Sequence, residues 1–221
     1  MTDTGTPGLD PVLGALFTAK GSLVRFTAGE TLIHQGGLTD DVLALRTGAV
    51  KVLRHGDSED TEIVVALREP PEIVGHHEAI AGGPRSSSVV ALTEGTALAV
   101  PGADFRALVN ADSAAALAVY QMVSKQRRDA DQAYVEQLSC TVTERAAARL
   151  LALMPRVGVT DEATGAVSLQ LGQLELAQWV GASREAIVRT LRQLRKQGAL
   201  TTSYGTIVIH DVEALRAAAP A

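Results

Sequence analysis

The stretch LGQLELAQWVGASREAIVRTLRQLRKQGAL, residues 171–200, contains two amphipathic helical patterns separated by a single glycine. Gly181 permits a sharp turn between them, because glycine adopts left-handed backbone angles without a Cβ clash. Ser183 is a favourable N-cap, since its hydroxyl can accept a hydrogen bond from a backbone N–H. The pattern predicts helices over 172–180 and 183–197. Two helices joined by such a turn are typical of the unit that places its second helix in the major groove of DNA.

Charged side chains cluster at the start of the second predicted helix. Arg184, Glu185 and Arg189 all lie within its first two turns. An arginine can bond O6 and N7 of guanine together, and a carboxylate can accept from N4 of cytosine. Ser183 and the helix N-terminus can hold a DNA phosphate. These residues are therefore our candidates for reading DNA.

Two short β-like runs follow, at 199–202 and 206–210, around a Ser-Tyr-Gly turn. They predict a β-hairpin, which makes the helical unit a winged one. Thr201 and Tyr204 are candidates to contact the DNA backbone. The alternative is a helical hairpin that serves packing alone.

Charge is distributed unevenly along the 221 residues. The chain has a formal net charge of −5. Residues 1–138 hold 11 basic and 18 acidic residues, whereas residues 139–221 hold 9 basic and 7 acidic residues. The acidity therefore belongs to the first part, and it does not argue against nucleic-acid binding by the second part.

Composition excludes several classes of protein. The single cysteine, Cys140, excludes an intramolecular disulfide and an all-cysteine iron–sulfur cluster within one chain. The N-terminus has no signal-peptide pattern, and no apolar run reaches the length of about 18 residues that a membrane helix needs. We find no nucleophile–base pair, metal motif or phosphate-binding Walker loop. We therefore expect a cytoplasmic protein that is not an enzyme and does not bind membranes.

The first hundred residues indicate a small antiparallel barrel or sandwich. Short apolar runs are separated by turn residues at intervals of about 8–12 residues, as in compact all-β domains. The predicted strands are 23–26, 31–34, 41–46, 49–53, 62–66, 88–92 and 97–100.

Helix-forming residues dominate from 102 to 138. A short helix is predicted at 104–109, followed by one long helix over 113–138. Apolar residues recur along the long helix at spacings of three and four, which predicts a parallel coiled-coil dimer. The alternative is that this helix lies against its own β domain. The predicted dimer contacts are Val119, Met122, Val123, Ala130, Ala133 and Tyr134.

These patterns divide the chain into three parts. Residues 1–110 form the predicted β domain, 111–138 the dimerisation helix and 139–221 the DNA-binding domain. Within the last part, a helix is predicted at 142–154, ended by Pro155 and followed by a loop at 156–166.

The string GASREAIVRTLRQLRKQGAL resembles the signature of the cyclic-AMP receptor protein/fumarate–nitrate regulator (CRP/FNR) family, in which Gly-x-Ser-Arg-Glu opens the recognition helix. Gly172 departs from it, because the family usually has Ser or Thr there. The resemblance implies an α+β protein with an N-terminal cyclic-nucleotide-binding β-roll, a long dimerisation helix and a C-terminal winged helix-turn-helix. It also implies an allosteric, homodimeric regulator of transcription that binds double-stranded DNA and contacts RNA polymerase.

The resemblance extends to the family's phosphate-binding cassette. Here the string is GHHEAIAGGPRSSSV, residues 75–89, in which Gly75, Arg85 and Ser86 match. The resemblance implies that Arg85 binds a cyclic phosphate through charge-assisted bonds. Ser86 would add its hydroxyl and its backbone N–H.

Two positions depart from the cassette pattern. His76 replaces the glutamate that bonds the ribose in the family, and Ala130 and Asp131 fall where the family has a hydroxyl pair that contacts the purine. Glu78 could replace the missing glutamate if the loop were shifted. The effector implied by the resemblance is cyclic AMP or another cyclic nucleotide.

Two alternatives for the effector remain open. One is an effector-independent DNA-binding regulator with a degenerate pocket. The other is a haem-based gas sensor that uses the His76–His77 pair, although ordinary loop histidines explain the pair more simply. No zinc site is expected near this pair, because no further ligands cluster there.

Overall fold

The computed structural model describes residues 6–56 and 62–220. It divides into two compact units, residues 1–130 and residues 131–221. We call them the first unit and the second unit. Among the described residues, no helix is long and apolar enough to cross a membrane.

The first unit is built on two four-stranded antiparallel sheets, as the strand pattern predicts. The strand order is β1-β8-β3-β6 in one sheet and β2-β7-β4-β5 in the other. The strands are β1 (Ser22–Phe26), β2 (Thr31–Ile33), β3 (Val42–Thr47), β4 (Val50–His55), β5 (Glu62–Arg68), β6 (Ile73–Val74), β7 (Ser88–Ala91) and β8 (Gly95–Val100).

Buried aliphatic side chains fill the space between the two sheets. Leu45 and Val50 are fully buried there, and Phe26 and Val89 lie beside them. Gly48 makes the turn between β3 and β4 with φ of 80°. A Cβ at this position would lie 2.6 Å from the carbonyl oxygen of Glu94, so only glycine fits.

Three shorter helices complete the first unit, and sequence analysis predicted only the last of them. They are α1 (Pro11–Lys20), α2 (His76–Ala81) and α3 (Gly102–Ala111). Asp10 caps α1 by accepting from the backbone N–H of Val12 at 2.9 Å. Phe17 of α1 packs against Phe105 of α3, with ring centroids 6.5 Å apart.

The long helix α4 (Ser113–Ser139) matches the predicted helix at 113–138. Val119 is buried in the core of the first unit, so it is not available as the predicted dimer contact. Met122 and Val123 pack against that core but are only partly buried, and they stay predicted dimer contacts. The start of α4 therefore lies against its own domain, as the alternative interpretation expected.

The second unit combines helices with a third four-stranded sheet of order β11-β12-β10-β9. Leu150, Leu176, Ile187 and Ile209 are fully buried and form part of its core. Its elements are α5 (Val142–Val157), β9 (Val159–Thr160), β10 (Val167–Gln170), α6 (Gln173–Val180), α7 (Arg184–Lys196), β11 (Leu200–Ser203), β12 (Thr206–Ile209) and α8 (Val212–Ala217).

Pro155 lies inside α5, which continues to Val157. The prediction that the helix ends before Pro155 is wrong. Proline costs least in a last turn, because few intrahelical bonds remain to be lost there. The guanidinium of Arg156 donates to the carbonyl of Ala152, and the N–H of Gly158 closes the helix on Met154 at 3.0 Å.

The segment 156–166, which we predicted as a loop, contains the strand β9. That strand pairs with β10, to which sequence analysis assigned no element.

Candidate nucleic-acid interface and ligand cavity

The turn between α6 and α7 has the geometry that the sequence predicts. Gly181 adopts left-handed angles, with φ of 64° and ψ of 49°. Ser183 caps α7, because its hydroxyl accepts from the backbone N–H of Ala186 at 3.2 Å. Helix α7 therefore begins at Arg184, directly after its cap.

Helix α7 has one buried face and one exposed charged face. Ile187, Leu191 and Leu194 pack into the second unit. Arg184, Glu185 and Arg189 are exposed, as a base-reading role requires, and Ser183 is exposed beside them. The exposed face continues with Arg192, Arg195 and Lys196.

The hairpin of β11 and β12 places Tyr204 at its tip, where the side chain is fully exposed. Thr201 is exposed on β11, and its hydroxyl lies 2.8 Å from Nε2 of His210. Both residues are therefore on the surface of the second unit. The hydroxyl of Thr201 can donate to a phosphate while it accepts from the Nε2–H of His210, because a hydroxyl both donates and accepts.

Arg145 of α5, which sequence analysis did not single out, is buried and donates hydrogen bonds to backbone carbonyls of the second unit. The Nε of Arg145 donates to the carbonyl of Val180 at 3.2 Å, and Nη1 donates to that of Cys140 at 2.6 Å. The same Nη1 also reaches the carbonyl of Gln137 at 3.4 Å. The end of α6, and with it the turn into α7, is therefore tied to the link between α4 and α5. The only sequence signal is a cation among the alanines of an otherwise apolar helix face.

The first unit encloses a cavity of about 540 Å³, which is within the range of small-molecule sites. Strands of both sheets, the start of α2 and the middle of α4 line it. Apolar side chains form much of the wall: Ile33, Val52, Val65, Ile73, Val89 and Val123.

Four of the six predicted effector-binding residues line this cavity, and two do not. Gly75, His76, Ser86 and Ala130 line the cavity, whereas Arg85 and Asp131 are absent from its wall as described. The resemblance therefore identified the right region of the fold, but it did not identify all of the groups that a ligand would contact.

The side chain of Arg85 is 1% exposed and is bonded to the protein itself. Its Nη1 donates to the carbonyl of Gly75 at 2.7 Å, and its Nη2 donates to that of Asp41 at 2.6 Å. Its Nε lies 3.4 Å from the hydroxyl of Thr39. The structure thus differs from the expectation that Arg85 offers its guanidinium to a cyclic phosphate, because that guanidinium already bonds internal oxygens.

The backbone N–H of Ser86, which the resemblance assigns to the phosphate, is also bonded within the protein. Its backbone N–H donates to a carboxylate oxygen of Glu78 at 3.1 Å. Burial raises the pKa of Glu78, but its hydrogen bonds with Ser86 outweigh this effect and the pKa falls overall. The carboxylate is therefore charged at neutral pH and takes the N–H that a phosphate would need. Glu78 lines the cavity, and its replacement of the ribose-binding glutamate stays a prediction.

Gly75 allows the close packing between Arg85 and the start of α2. It has φ of 82°, and a Cβ there would lie 2.7 Å from the carbonyl oxygen of Asp41 and 3.0 Å from Nη1 of Arg85. Any other residue would force the arginine and its acceptor apart. Gly75 therefore has a structural reason to be glycine that does not depend on a bound phosphate.

His76 is the first residue of α2 and is 3% exposed. Within the described part of the chain, neither of its ring nitrogens completes a hydrogen bond. Its pKa is lowered to about 3, first by burial and then by the neighbouring His77 and Arg68. At neutral pH His76 is therefore an uncharged imidazole.

Gln126 of α4 shares this environment. It is 8% exposed, and its Nε2 likewise finds no partner among the described residues. It lies close enough to His76 to favour the charged imidazole. Sequence analysis assigned no role to Gln126.

The β-roll, the long helix and the winged helix-turn-helix together define a DNA-binding transcription regulator. Residues 23–112 match the family model for the cyclic nucleotide-binding domain, and residues 144–218 match that for the Crp-like helix-turn-helix domain. The chain belongs to the CRP/FNR family of regulators.

Relatives of known role align over most of the chain. A CRP-like cAMP-activated global transcriptional regulator of Mycobacterium tuberculosis is 26% identical over 208 residues, 94% of this chain and 92% of that protein. The cyclic AMP receptor protein of Thermus thermophilus is 27% identical over 192 residues, 86% of this chain and 84% of that protein. The crystal structure of a CRP/FNR-family transcriptional regulator from Thermus thermophilus superimposes with a TM-score of 0.76 at 26% identity, covering 90% of this chain and 98% of that one.

The buried neutral state of His76 predicts a specific acid sensitivity. The unfolded chain binds a proton near pH 6.5, but the folded chain binds one only near pH 3. Stability is therefore lost as the pH falls below about 6.5. From about pH 7.5 to about pH 5, this one group should cost about 2 kcal/mol of unfolding free energy. Urea denaturation of wild type and His76→Leu at both pH values measures it, because the variant lacks this part of the loss.

His34→Leu is the matched control, because His34 is exposed and is not among the groups that shift the pKa of His76. Its acid sensitivity should match that of wild type. Equal acid sensitivity in wild type and His76→Leu would contradict the assignment.

Proposed function

We propose that this protein is a homodimeric, sequence-specific DNA-binding regulator whose affinity for DNA is controlled by a small effector bound in the cavity of the first unit. The observation that carries the DNA-binding part is the exposed Arg184, Glu185 and Arg189 at the start of the capped helix α7. Arginine and carboxylate groups at this end of a recognition helix can reach base edges in the major groove. Ser183 and Tyr204 are positioned on the same unit as phosphate contacts.

The family supplies the remaining expectations for partners and location. Its members regulate transcription and are not enzymes. We infer that the protein acts in the cytoplasm, where its DNA is, and that it contacts RNA polymerase there. Two recognition helices spaced about one helical turn of DNA apart would read a pseudo-palindromic site.

Dimerisation through α4 would use exposed apolar side chains in addition to those that the sequence indicated. Large apolar side chains remain exposed along this helix, and Leu117, Tyr120, Tyr134 and Leu138 fall on heptad-related positions of one stripe. Ala130, Ala133 and Tyr134 stay candidates from the original prediction, because the core of the first unit does not cover them. The exposed large residues are Leu117, Tyr120, Tyr134, Val135 and Leu138.

The effector must bind the DNA-competent state more tightly than the other state, or it changes nothing. The engaged Arg85 and Ser86 weaken the case for cyclic AMP bound in the family's usual manner. The same observation favours the second candidate, a regulator that needs no effector. The cavity of about 540 Å³, with the polar side chains of His76 and Gln126 in its wall, favours the first.

Removing a base-reading arginine should relax sequence preference. Arg184→Ala and Arg189→Ala should each reduce discrimination between a DNA site selected from a random library and a scrambled duplex, by about ten- to a hundredfold. Fluorescence anisotropy at fixed salt measures both affinities. Arg216→Ala, on α8 and paired with Glu213, removes one equal charge away from α7 and should keep full discrimination. Unchanged discrimination in the α7 variants would show that another surface reads the bases.

Placing charge on the α4 stripe should separate the dimer. The double variant Tyr120→Glu/Leu138→Glu should sediment as a monomer, because it buries four carboxylates in an apolar seam. Gln132→Glu, at an exposed position off the stripe, should stay dimeric. Analytical ultracentrifugation distinguishes the states. A wild-type monomer, or a dimer that tolerates the double change, would contradict the seam.

A further inference from the structure

We infer that the cavity of the first unit binds an organic anion with an apolar body, whose acidic group is met by three arginines of the wall: Arg54, Arg68 and Arg127. Arg85 and Ser86, which the family pattern assigns to a phosphate, do not hold that group. This inference rests on the proposed control by an effector, and it names the chemical class of that effector and the side chains that recognise it.

The first argument is that the anion-binding groups of the cassette are already bonded. Arg85 donates to two backbone carbonyls and is shut off from solvent. Glu78 accepts from the N–H of Ser86, and its carboxylate lies 3.8 Å from Nη1 of Arg85. An acidic group that entered here would lie against a carboxylate of the same charge and would have to break these hydrogen bonds. Other cations of the cavity therefore meet the charge of a ligand better.

The second argument is the charge of the wall. Three arginines line the cavity, and Glu78 is the one acidic residue among the described residues that line it. The charge of Glu78 already faces that of Arg85, so the three arginines leave the wall positive. Burial, the neighbouring His77 and the charge of Arg68 together lower the pKa of His76, which shows that the field of Arg68 acts on the inside of the cavity. Such a wall attracts an anion.

The third argument is where the strands place two of these cations. Val52 of β4 pairs with Ala66 of β5. Arg54 lies two residues beyond Val52 and Arg68 two residues beyond Ala66, so both leave the hairpin on the cavity face. Because the strands are antiparallel, the two arginines lie at opposite ends of this face, about 14 Å apart along the strands. They approach a ligand from two sides, with apolar wall between them.

Helix α4 supplies the third cation. Its cavity-lining residues lie at positions i, i+3, i+4 and i+7, which share one helix face: Val123, Gln126, Arg127 and Ala130. Arg127 and Arg54 are exposed and Arg68 is half-buried. A ligand that enters from solvent therefore reaches all three arginines.

The guanidinium of Arg68 keeps donors for a ligand. Its Nη1 donates to the carbonyl of Leu67 at 2.9 Å and lies 4.0 Å from the carboxylate of Glu72. The second contact is at the outer limit of an ion pair, and a guanidinium carries five N–H groups. Unlike Arg85, Arg68 can therefore bond an acidic group without giving up its hydrogen bond to the protein.

The aliphatic part of the wall selects the body of the ligand. Val52, Val65 and Val89 are among the side chains that form it. Removing apolar area from water stabilises a complex by about 25 cal/mol per Å². The cavity volume of about 540 Å³ is large enough for several fused rings. Cations alone would attract any anion, whereas this wall favours one with an apolar body.

The test compares two fluorescent probes that share one apolar body and differ in charge. We expect 1-pyrenebutyrate to bind the full-length protein with a stoichiometry of one per chain. At low salt it should bind on the order of tenfold more tightly than the neutral 1-pyrenebutanol, the equivalent of one charge-assisted hydrogen bond. Added salt should narrow the difference, because it screens exposed charges.

Variants assign the preference to the three arginines. The triple variant Arg54→Gln/Arg68→Gln/Arg127→Gln should bind both probes about equally, and its binding of pyrenebutanol shows that the cavity is still formed. The triple variant Arg54→Lys/Arg68→Lys/Arg127→Lys should keep most of the preference, since it keeps the charges. Arg25→Gln removes an exposed arginine of β1 that does not line the cavity, and it should keep the full preference.

Three outcomes would overturn the inference. The first is equal binding of the two probes to wild type. The second is a preference for pyrenebutyrate that survives the triple glutamine change. The third is cyclic AMP binding, measured by calorimetry, that is the same in wild type and in the triple glutamine variant, which would show that other groups hold the phosphate. The titrations contain no DNA, so they can fail while the DNA-binding function stands. Loss of discrimination in the α7 variants would leave them unaffected.

Discussion

The hydrogen bonds of the Arg85 guanidinium are the constraint on which the cavity region of the first unit depends. It joins the loop before β3 to the start of α2 by donating to the carbonyls of Asp41 and Gly75. Gly75 must be glycine for this approach, and its left-handed angles direct the chain into α2. Because α2 begins at that point, His76 is carried into the cavity wall. A residue that sequence comparison presents as a ligand contact thus acts here as a buried structural tie.

A second buried arginine has the same physical role in the DNA-binding half. Arg145 satisfies carbonyls at the end of α6 and in the link between α4 and α5. In both units a buried guanidinium, which is rigid and carries several donors, bonds backbone carbonyls that have no partner within a helix or a sheet. The turn into α7 and the entry into α2 are each fixed in this way. The candidate functional side chains therefore lie on segments whose backbone is fixed by hydrogen bonds from a buried arginine.

The sequence predicted those features that depend on local chemistry. The turn at Gly181, the cap at Ser183 and the exposed arginines of α7 follow from spacing and residue type, and the structure places them as expected. The strands of the first unit and the extent of α4 follow from periodicity. The fold class is confirmed by the sheets, the helices and the family models.

The features that sequence analysis did not predict depend on packing between residues far apart in the chain. Nothing local to Val119 shows that α1 and α3 cover it, so a stripe on α4 was interpreted as a dimer seam. Nothing local to Arg85 shows that Asp41, far away in the chain, supplies its acceptor. The family pattern gave the position of the arginine correctly, but the direction of its side chain depends on the loops around it. Gln126 was overlooked because His76, the residue that it lies beside, comes from another element.

An NMR spectrum of the arginine side-chain Nε–H groups tests most directly whether Arg85 is a structural tie. The Arg85 resonance is assigned by its absence in Arg85→Lys. The account predicts that it exchanges slowly with solvent and keeps its position when cyclic AMP or inorganic phosphate is added in excess. A resonance that exchanges rapidly in the free protein, or that shifts on addition of cyclic AMP, would contradict the account.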